Sequence, residues 1–463
     1  MKLSGGALNA HQSAAVELHV HGAQERLRRP HLRHFARPGG TMGGTMGEPS
    51  VRPRPPVPRI DFPCEILAAA GSWTCLPPSR KSFPQGPMPK RAGKENKVKV
   101  TANPHASALQ PRGGARSAAV AVEARVPFVP VPRDENDWRY AQSFEPEGEE
   151  LAARTFLAEH GYVVFRNVLA PSEARESRRE ILAYIERVCE GFVADDESTW
   201  DAWRSQQYGM PPPDEKAYWQ PQLARNRRNP RVAAGFAQLL GCTPVSLRCS
   251  HDRWALYPRG VRTRRNVHLD INPWLYANGS AVVAARRAEY AYAAADELYG
   301  GSDNLVSAEH GPHLQGTTAL LDNDEEDAGF LCVPGSHRFF ETWAATLDSS
   351  GSGGPRYDFP DHSHYHSMAQ RVPVCEGSLI VWDARLAHGS TPDRAIQGCE
   401  TRPRFVQFIS LRTAQLLSEE QATRRSALVQ RLYAAHSIEE PADPVQRAVA
   451  GLPRETTSAD QEP

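Results

Sequence analysis

GSLIVWDARLAHGSTPDRAIQGCETRPRFVQFISL, residues 377–411, contains two short runs rich in β-branched and aromatic residues, LIVWD and RFVQFISL, separated by Gly, Ser and Pro turn signals. An amphipathic helix would repeat its apolar residues every three to four positions, whereas these runs alternate or stay continuous over a few residues, as strands do. The same punctuation recurs upstream in VSLRCS, DRWALYP, NVHLDI, TTALLD and GFLCVPGSH. Residues 245–411 therefore read as many short strands with turn residues between them, which predicts an all-β sandwich or barrel rather than a parallel α/β sheet. Within this region Ala281 to Leu298 is Ala-rich and predicts a helix, and Gly351 to Ser367 predicts a loop.

Toward the N-terminus, order is expected to begin near Asp134. GEELAARTFLAEHGYVVFRNVLAPSEARESRREILAYIERVCEG predicts a helix through Leu151, Phe156 and Leu157, a strand from Tyr162 to Phe165, and a second helix after Pro171-Ser172. The polar, Trp- and Pro-rich stretch 195–230 predicts surface helices and loops, and PRVAAGFAQLLG a helix ended by Gly241. Past Leu411, SEEQATRRSALVQRLYAAH predicts a helix followed by a polar tail. Residues 1–125 are dense in Pro, Gly and Arg, with nineteen Lys and Arg against seven Asp and Glu. Such a segment buries too little apolar surface to offset its chain entropy and is expected to be disordered. The chain thus divides into a basic segment (1–125), an enzyme-sized domain (126–415), and a C-terminal helix with tail (416–463).

Over the whole chain of 463 residues, 54 Lys and Arg balance 54 Asp and Glu, which excludes the basic excess of a dedicated nucleic-acid binder. The eight cysteines show no CxxC pair or regular spacing and read as reduced thiols of an intracellular protein. No run reaches the roughly 18 to 20 apolar residues of a membrane span, and the N-terminus lacks the order of a secretory signal. A soluble cytoplasmic or organellar protein is expected, the Arg-rich, acid-poor arm suiting a transit peptide or a linker.

The chemistry lies in the β region. In NVHLDINPW, His268 and Asp270 stand two apart on a predicted strand, so both side chains leave the same face. Far downstream, GSLIVWDARLAHGSTPD carries His388 into a turn, and Arg404 opens the next strand. Two neutral imidazoles and a carboxylate on one face of an octahedral ion leave three positions for a co-substrate and O2. A buried guanidinium can grip the far carboxylate of a dicarboxylic acid through two parallel bonds, which Lys does less well.

With these residues the chain resembles the phytanoyl-CoA dioxygenase family, Fe(II)- and 2-oxoglutarate-dependent oxygenases built on a double-stranded β-helix, or cupin-like jelly roll. The likeness runs from about Phe144 to Leu411 and includes HGYVVFRNVL, HLD, ALLDNDEEDAGFLCVPGSHR, GSLIVWDARLAHGS and RPRF. It implies iron ligands at His268, Asp270 and His388, a 2-oxoglutarate anchor at Arg404, and a hydroxyl from Ser390 to the same carboxylate. Arg402 is a rival anchor, because the interval from His388 to Arg404 is longer than the family's usual one. The likeness implies hydroxylation of a small organic or acyl substrate with release of succinate and CO2, O2 as oxidant and ascorbate as an accessory reductant. Asp270 stands where related halogenases carry a small residue, which favours hydroxylation. The alternative is a non-catalytic cupin-like binding protein with a vestigial metal site.

Other candidates read differently. His362, His364 and His366 alternate in DHSHYHS without a matching carboxylate and suit a solvated loop. The acidic run DNDEED, Asp322 to Asp327, lacks the Gly and terminal Glu of a calcium loop and suits a solvated turn. Trp274 is a candidate pocket wall, Ser336, His337 and Arg338 are expected to be structural or pocket-lining, and residues 277–313 read as an insertion suited to a lid.

Overall fold

The computed structural model describes residues 126–203, 209–261, 265–274, 290–299, 313–347, 356–414 and 417–453. The basic segment 1–125 lies outside them, as do most of the Ala-rich helix and most of the insertion expected at 277–313.

The chain enters through α1 (Glu150–His160), β1 (Tyr162–Phe165) and α2 (Pro171–Val188). Gly161 ends α1 in the left-handed region at φ 79°, its N–H donating to the Leu157 carbonyl at 2.7 Å, so the chain turns directly into β1. Short helices α3 (Glu215–Tyr218) and α4 (Pro221–Arg227) lead to α5 (Pro230–Leu240), which Gly241 closes at φ 64°, as its sequence predicts.

Among the described residues eleven further strands follow: β2 (Leu247–Cys249), β3 (Trp254–Tyr257), β4 (His268–Leu269), β5 (Leu314–Ala319), β6 (Gly329–Cys332), β7 (Tyr357–Asp358), β8 (Gln370–Arg371), β9 (Leu379–Asp383), β10 (His388–Thr391), β11 (Arg404–Phe408) and β12 (Leu411–Thr413). They build two five-stranded sheets, a larger one ordered β1-β9-β5-β11-β3 and a smaller one ordered β7-β4-β10-β6-β8, with β12 and β2 as a separate pair. Every pairing between these strands is antiparallel. This is the mainly β, double-stranded β-helix core expected from the short-strand pattern, with helices flanking it.

Antiparallel partners share a face. The register therefore puts Trp382 opposite Gln315, Ala319 opposite Val406 and Tyr257 opposite Arg404 on one face of the larger sheet. The other face carries Phe405, Leu256 and Trp254, which are buried with Ile181 and Tyr184 of α2 and Leu223 of α4. Close approach of α5 depends on Gly316, where an added Cβ would lie 3.0 Å from the Phe236 ring and 2.8 Å from the Ile409 carbonyl oxygen.

Several local expectations are corrected. The Trp- and Pro-rich stretch 195–230 forms the expected helices but is surface only in part: Trp200, Trp203 and Trp219 are buried in the helix-side core, because their large apolar area outweighs the polar residues between them. Residues 357–368 are not all loop, since β7 pairs with β4 and Tyr365 of α7 (His364–Met368) is fully buried against Trp343 of α6 (Phe340–Thr346). The tail after α8 (Glu419–Ala435) contains another helix, α9 (Pro444–Ala450), whose Val449 joins the core.

His251 is buried and stacked on Trp219 with ring centroids 4.3 Å apart. Burial, with Arg425 and Arg227 nearby, holds its pKa well below the ordinary 6.5. Below pH 6.5 the unfolded chain takes up a proton that the folded state refuses, so stability falls as the pH drops from 6.5 toward the depressed folded value. The slope this group adds is at most about 1.4 kcal/mol per pH unit. His251→Gln is expected to flatten the decline in urea midpoint between pH 7 and pH 5; an unchanged slope would assign the acid sensitivity to other groups.

Candidate metal centre

The sheet register builds the site. β10 pairs with β4 so that His388 stands directly opposite His268, and the two imidazole centroids lie 4.5 Å apart. Asp270, just past the end of β4, brings its carboxylate between them: Oδ1 is 3.3 Å from His268 Nε2 and Oδ2 is 3.4 Å from His388 Nε2. The three ligand atoms all lie within 4.8 Å of one another, the one such group of His, Cys, Asp and Glu among the described residues.

These separations suit a shared cation. A charge-assisted N–H to carboxylate bond closes to about 2.7 to 2.9 Å. Two donors each about 2.1 Å from an ion and at right angles stand about 3.0 Å apart, nearer to the spacing here. His388 Nδ1 lies 2.8 Å from the Leu386 carbonyl oxygen, an atom that can only accept, so Nδ1 carries the proton and Nε2 presents its lone pair. Burial and the neighbouring His388 lower the His268 pKa, favouring its neutral form. Burial alone would raise the Asp270 pKa, yet the charge and N–H bonds of His268 and His388, when protonated, hold it well below the carboxylate range; a shared cation would supply that positive charge with both imidazoles neutral. Two neutral imidazoles and one anionic carboxylate fit a divalent ion of the first transition row, with open positions left on it. The Asp270 side chain is 30% exposed, against 10% for His268 and 4% for His388, so the approach to the site is on the carboxylate side.

The larger sheet closes over this centre. Trp382 lies 5.2 Å and Phe330 5.9 Å from the His388 ring, centroid to centroid, forming an apolar wall. Gln315, on the same face, donates from Nε2 to Asp270 Oδ2 at 3.0 Å. No sequence signal marked Gln315, because its role follows from a contact between two sheets. Removing a hydrogen bond to a ligand weakens metal binding about ten- to a hundredfold. Gln315→Leu is expected to show that loss in a Co(II) titration, and unchanged affinity would leave Gln315 as packing alone.

Arg404 and Arg402 separate cleanly. Arg404 is buried on the inner face with its guanidinium 5.0 Å from the Tyr257 ring centroid. Among the described residues no carboxylate comes within ion-pair distance of it, and burial lowers its pKa. Arg402 is committed elsewhere, to Asp322 at 3.4 Å, to Asp327 at 3.3 Å and to Asp324. Burial opposes its charge, but these three aspartates raise its pKa. The acidic run is therefore not a solvated turn, for Asp327 is 2% exposed and counters Arg402.

Ser390, two residues after His388 on β10, lies opposite Phe330 and on the same face as His388, with its N–H on Asn266 Oδ1 at 3.0 Å. Ser336 and His337 are structural: Ser336 Oγ accepts the Ala387 N–H at 3.0 Å, and His337 Nε2 lies 3.2 Å from the Ala158 carbonyl oxygen. His366 Nε2 sits on the Phe359 carbonyl at 3.1 Å, so the DHSHYHS histidines do not gather as ligands. Trp274 packs its ring 5.5 Å from Tyr357. No described helix is long and apolar enough to cross a membrane.

Residues 157–397 match the sequence model of the phytanoyl-CoA dioxygenase family. A Dictyostelium discoideum protein provisionally named a phytanoyl-CoA dioxygenase is 30% identical over 267 residues, covering 55% of this chain and 73% of that protein. Among solved structures, the GlcNAc-inducible GIG2 of Candida albicans is similar over 66% of this chain and 77% of its own, at 12% identity and a TM-score of 0.41. The epimerase SnoN, solved in complex with Fe3+, alpha ketoglutarate and nogalamycin RO, covers 57% of this chain and 84% of its own, at 18% identity and a TM-score of 0.35.

Proposed function

This chain belongs to the phytanoyl-CoA dioxygenase family of 2-oxoglutarate-dependent oxygenases, and on that premise we propose that His268, Asp270 and His388 hold Fe(II) while Arg404 and Ser390 hold 2-oxoglutarate. The reaction is hydroxylation of a small organic or acyl substrate: one oxygen of O2 enters the product alcohol, the other enters succinate, and CO2 leaves.

The observation that carries this reading is the convergence of three ligand atoms within 4.8 Å on facing strands, under a sheet whose inner face presents Arg404 without a carboxylate partner among the described residues. Bound iron, with 2-oxoglutarate and O2, supplies the oxidising power. The residues of the chain supply position and exclusion of water. The Leu386 carbonyl fixes the His388 tautomer, and Gln315 fixes the Asp270 carboxylate. Arg404 offers two parallel donors to the far carboxylate of the co-substrate, with Ser390 as a hydroxyl donor beside it. Trp382 and Phe330 keep the His388 side apolar, which strengthens every charge interaction within.

Purified protein with Fe(II), 2-oxoglutarate, ascorbate and O2 is expected to form succinate and CO2 in equal amounts, slowly even without a primary substrate. Absence of both iron binding and 2-oxoglutarate consumption would leave a binding protein with a vestigial site.

A further inference from the structure

A cavity of about 580 Å³ opens on the side of the smaller sheet away from the candidate metal centre. Leu331 and Thr391 line it. They alternate with Phe330, Cys332, His388 and Ser390 along β6 and β10, whose side chains face the metal centre. The sheet therefore separates the two sites. Its volume falls in the range of small-molecule sites, about 300 to 1,000 Å³.

The charge of the lining is unbalanced. Arg133, Arg265, Arg371 and Arg394 contribute to it, with Glu325 and Asp393. Both carboxylates are already engaged, Glu325 by Arg133 at 2.7 Å and Asp393 by the N–H groups of Gly260 at 2.7 Å and Ala395 at 3.3 Å. Arg394 is paired outside the lining, with Glu326 at 3.1 Å. Two cations remain without a carboxylate at ion-pair distance among the described residues. Arg265 donates from Nη2 to the carbonyl oxygens of His366 and Ala369, both at 2.8 Å. Arg371, 7% exposed, donates to the carbonyls of Asp324 and Asp327 and to Asn323 Oδ1, while its buried Nε has no partner.

A buried guanidinium held by neutral carbonyls and left with an orphaned donor is a costly arrangement unless an anion completes it. Burial first, and then Arg404 and Arg394, bring Arg371 down to about 9 against the opposing pull of Glu325 and Asp327, and Arg265 is lowered by burial and Arg394. An anion bound beside Arg265 and Arg371 would offset the repulsion that both feel from Arg394. Paired guanidiniums match a tetrahedral dianion, and the remaining volume exceeds what a bare ion fills.

We propose that this cavity is a binding site for a small organic phosphate, its phosphate group received by Arg265 and Arg371 on the reverse face of the strands that carry the metal ligands. Occupation of the site requires neither metal nor 2-oxoglutarate, so it stands apart from the proposed reaction.

The test is calorimetric titration of the full chain with ribose 5-phosphate and with inorganic phosphate as probes. One saturable site for ribose 5-phosphate is expected, tighter than for inorganic phosphate and unchanged by saturating 2-oxoglutarate. Arg265→Gln should weaken it about tenfold or more. Arg394→Gln, at a more exposed position, should also weaken it and serves where the first variant does not fold. Competition by 2-oxoglutarate, undiminished binding in both variants, or no binding by about 10 mM would overturn the site. Equal affinity for the two probes would overturn its preference for an organic phosphate.

Discussion

Asp270→Ala is expected to abolish both iron retention and succinate formation, with turnover falling about a thousandfold or more, since metal chemistry supplies several kcal/mol of transition-state stabilisation. Asp270 is the sole anionic ligand in the cluster and bridges the two imidazoles at 3.3 and 3.4 Å. Without it, His268 and His388 offer two neutral donors, too few to hold a labile divalent ion tightly. The fold should survive. Asp270 follows the last residue of β4, its side chain is 30% exposed, and the cross-strand pair of His268 with His388 remains. Iron content by metal analysis and succinate by chromatography, with circular dichroism as the folding control, decide the matter. A variant that keeps its iron and its turnover would move the metal centre elsewhere in the chain.

Arg404→Gln is the second large effect. Truncating one partner of a buried charge pair typically costs about 2 to 5 kcal/mol. The KM for 2-oxoglutarate should therefore rise about a hundredfold, with kcat much less affected at saturation. Arg402→Gln should do the reverse. It leaves the 2-oxoglutarate KM within about threefold of wild type, yet strips the counter-charge from the half-exposed Asp322 and Asp324 and the buried Asp327 and destabilises the fold by about 1 to 2 kcal/mol. Steady-state kinetics over a range of 2-oxoglutarate concentrations, together with urea unfolding, separate the two. A raised KM in Arg402→Gln and a normal one in Arg404→Gln would assign the anchor to Arg402.

The two arginines show where the sequence is informative and where it stops. Both stand in RPRF, and both are fixed cations near the start of one strand. Arg404 is preferred because it directly begins the alternating strand, but a period of two puts both arginines on one face and cannot say which cation is already neutralised. That depends on the acidic run some eighty residues earlier in the chain. DNDEED is polar enough to pass for a solvated turn, and its buried contacts with Arg402 and Arg371 follow from the meeting of the β5–β6 loop with distant segments. Trp200, Trp203 and Trp219 are misleading in the same way. Polar and Pro residues around them suggest surface, whereas a large aromatic is buried whenever a neighbouring helix leaves room for it.

What the sequence alone determined is the local and periodic part. Short β-prone runs between turn residues specify an antiparallel β core, Gly161 and Gly241 end their helices, and His268 with Asp270 share a face by strand geometry. His388 and Arg404 are recognisable as candidates by type and order. Only the tertiary structure decided that His388 stands across from His268, that Gln315 steadies Asp270, that Arg402 is paired with carboxylates while Arg404, among the described residues, is not, and that an arginine-lined cavity backs the smaller sheet. The physical reason is range: turn chemistry and side-chain alternation act over a few residues, whereas ligand convergence and charge compensation depend on segments brought together from 45 to 124 positions apart.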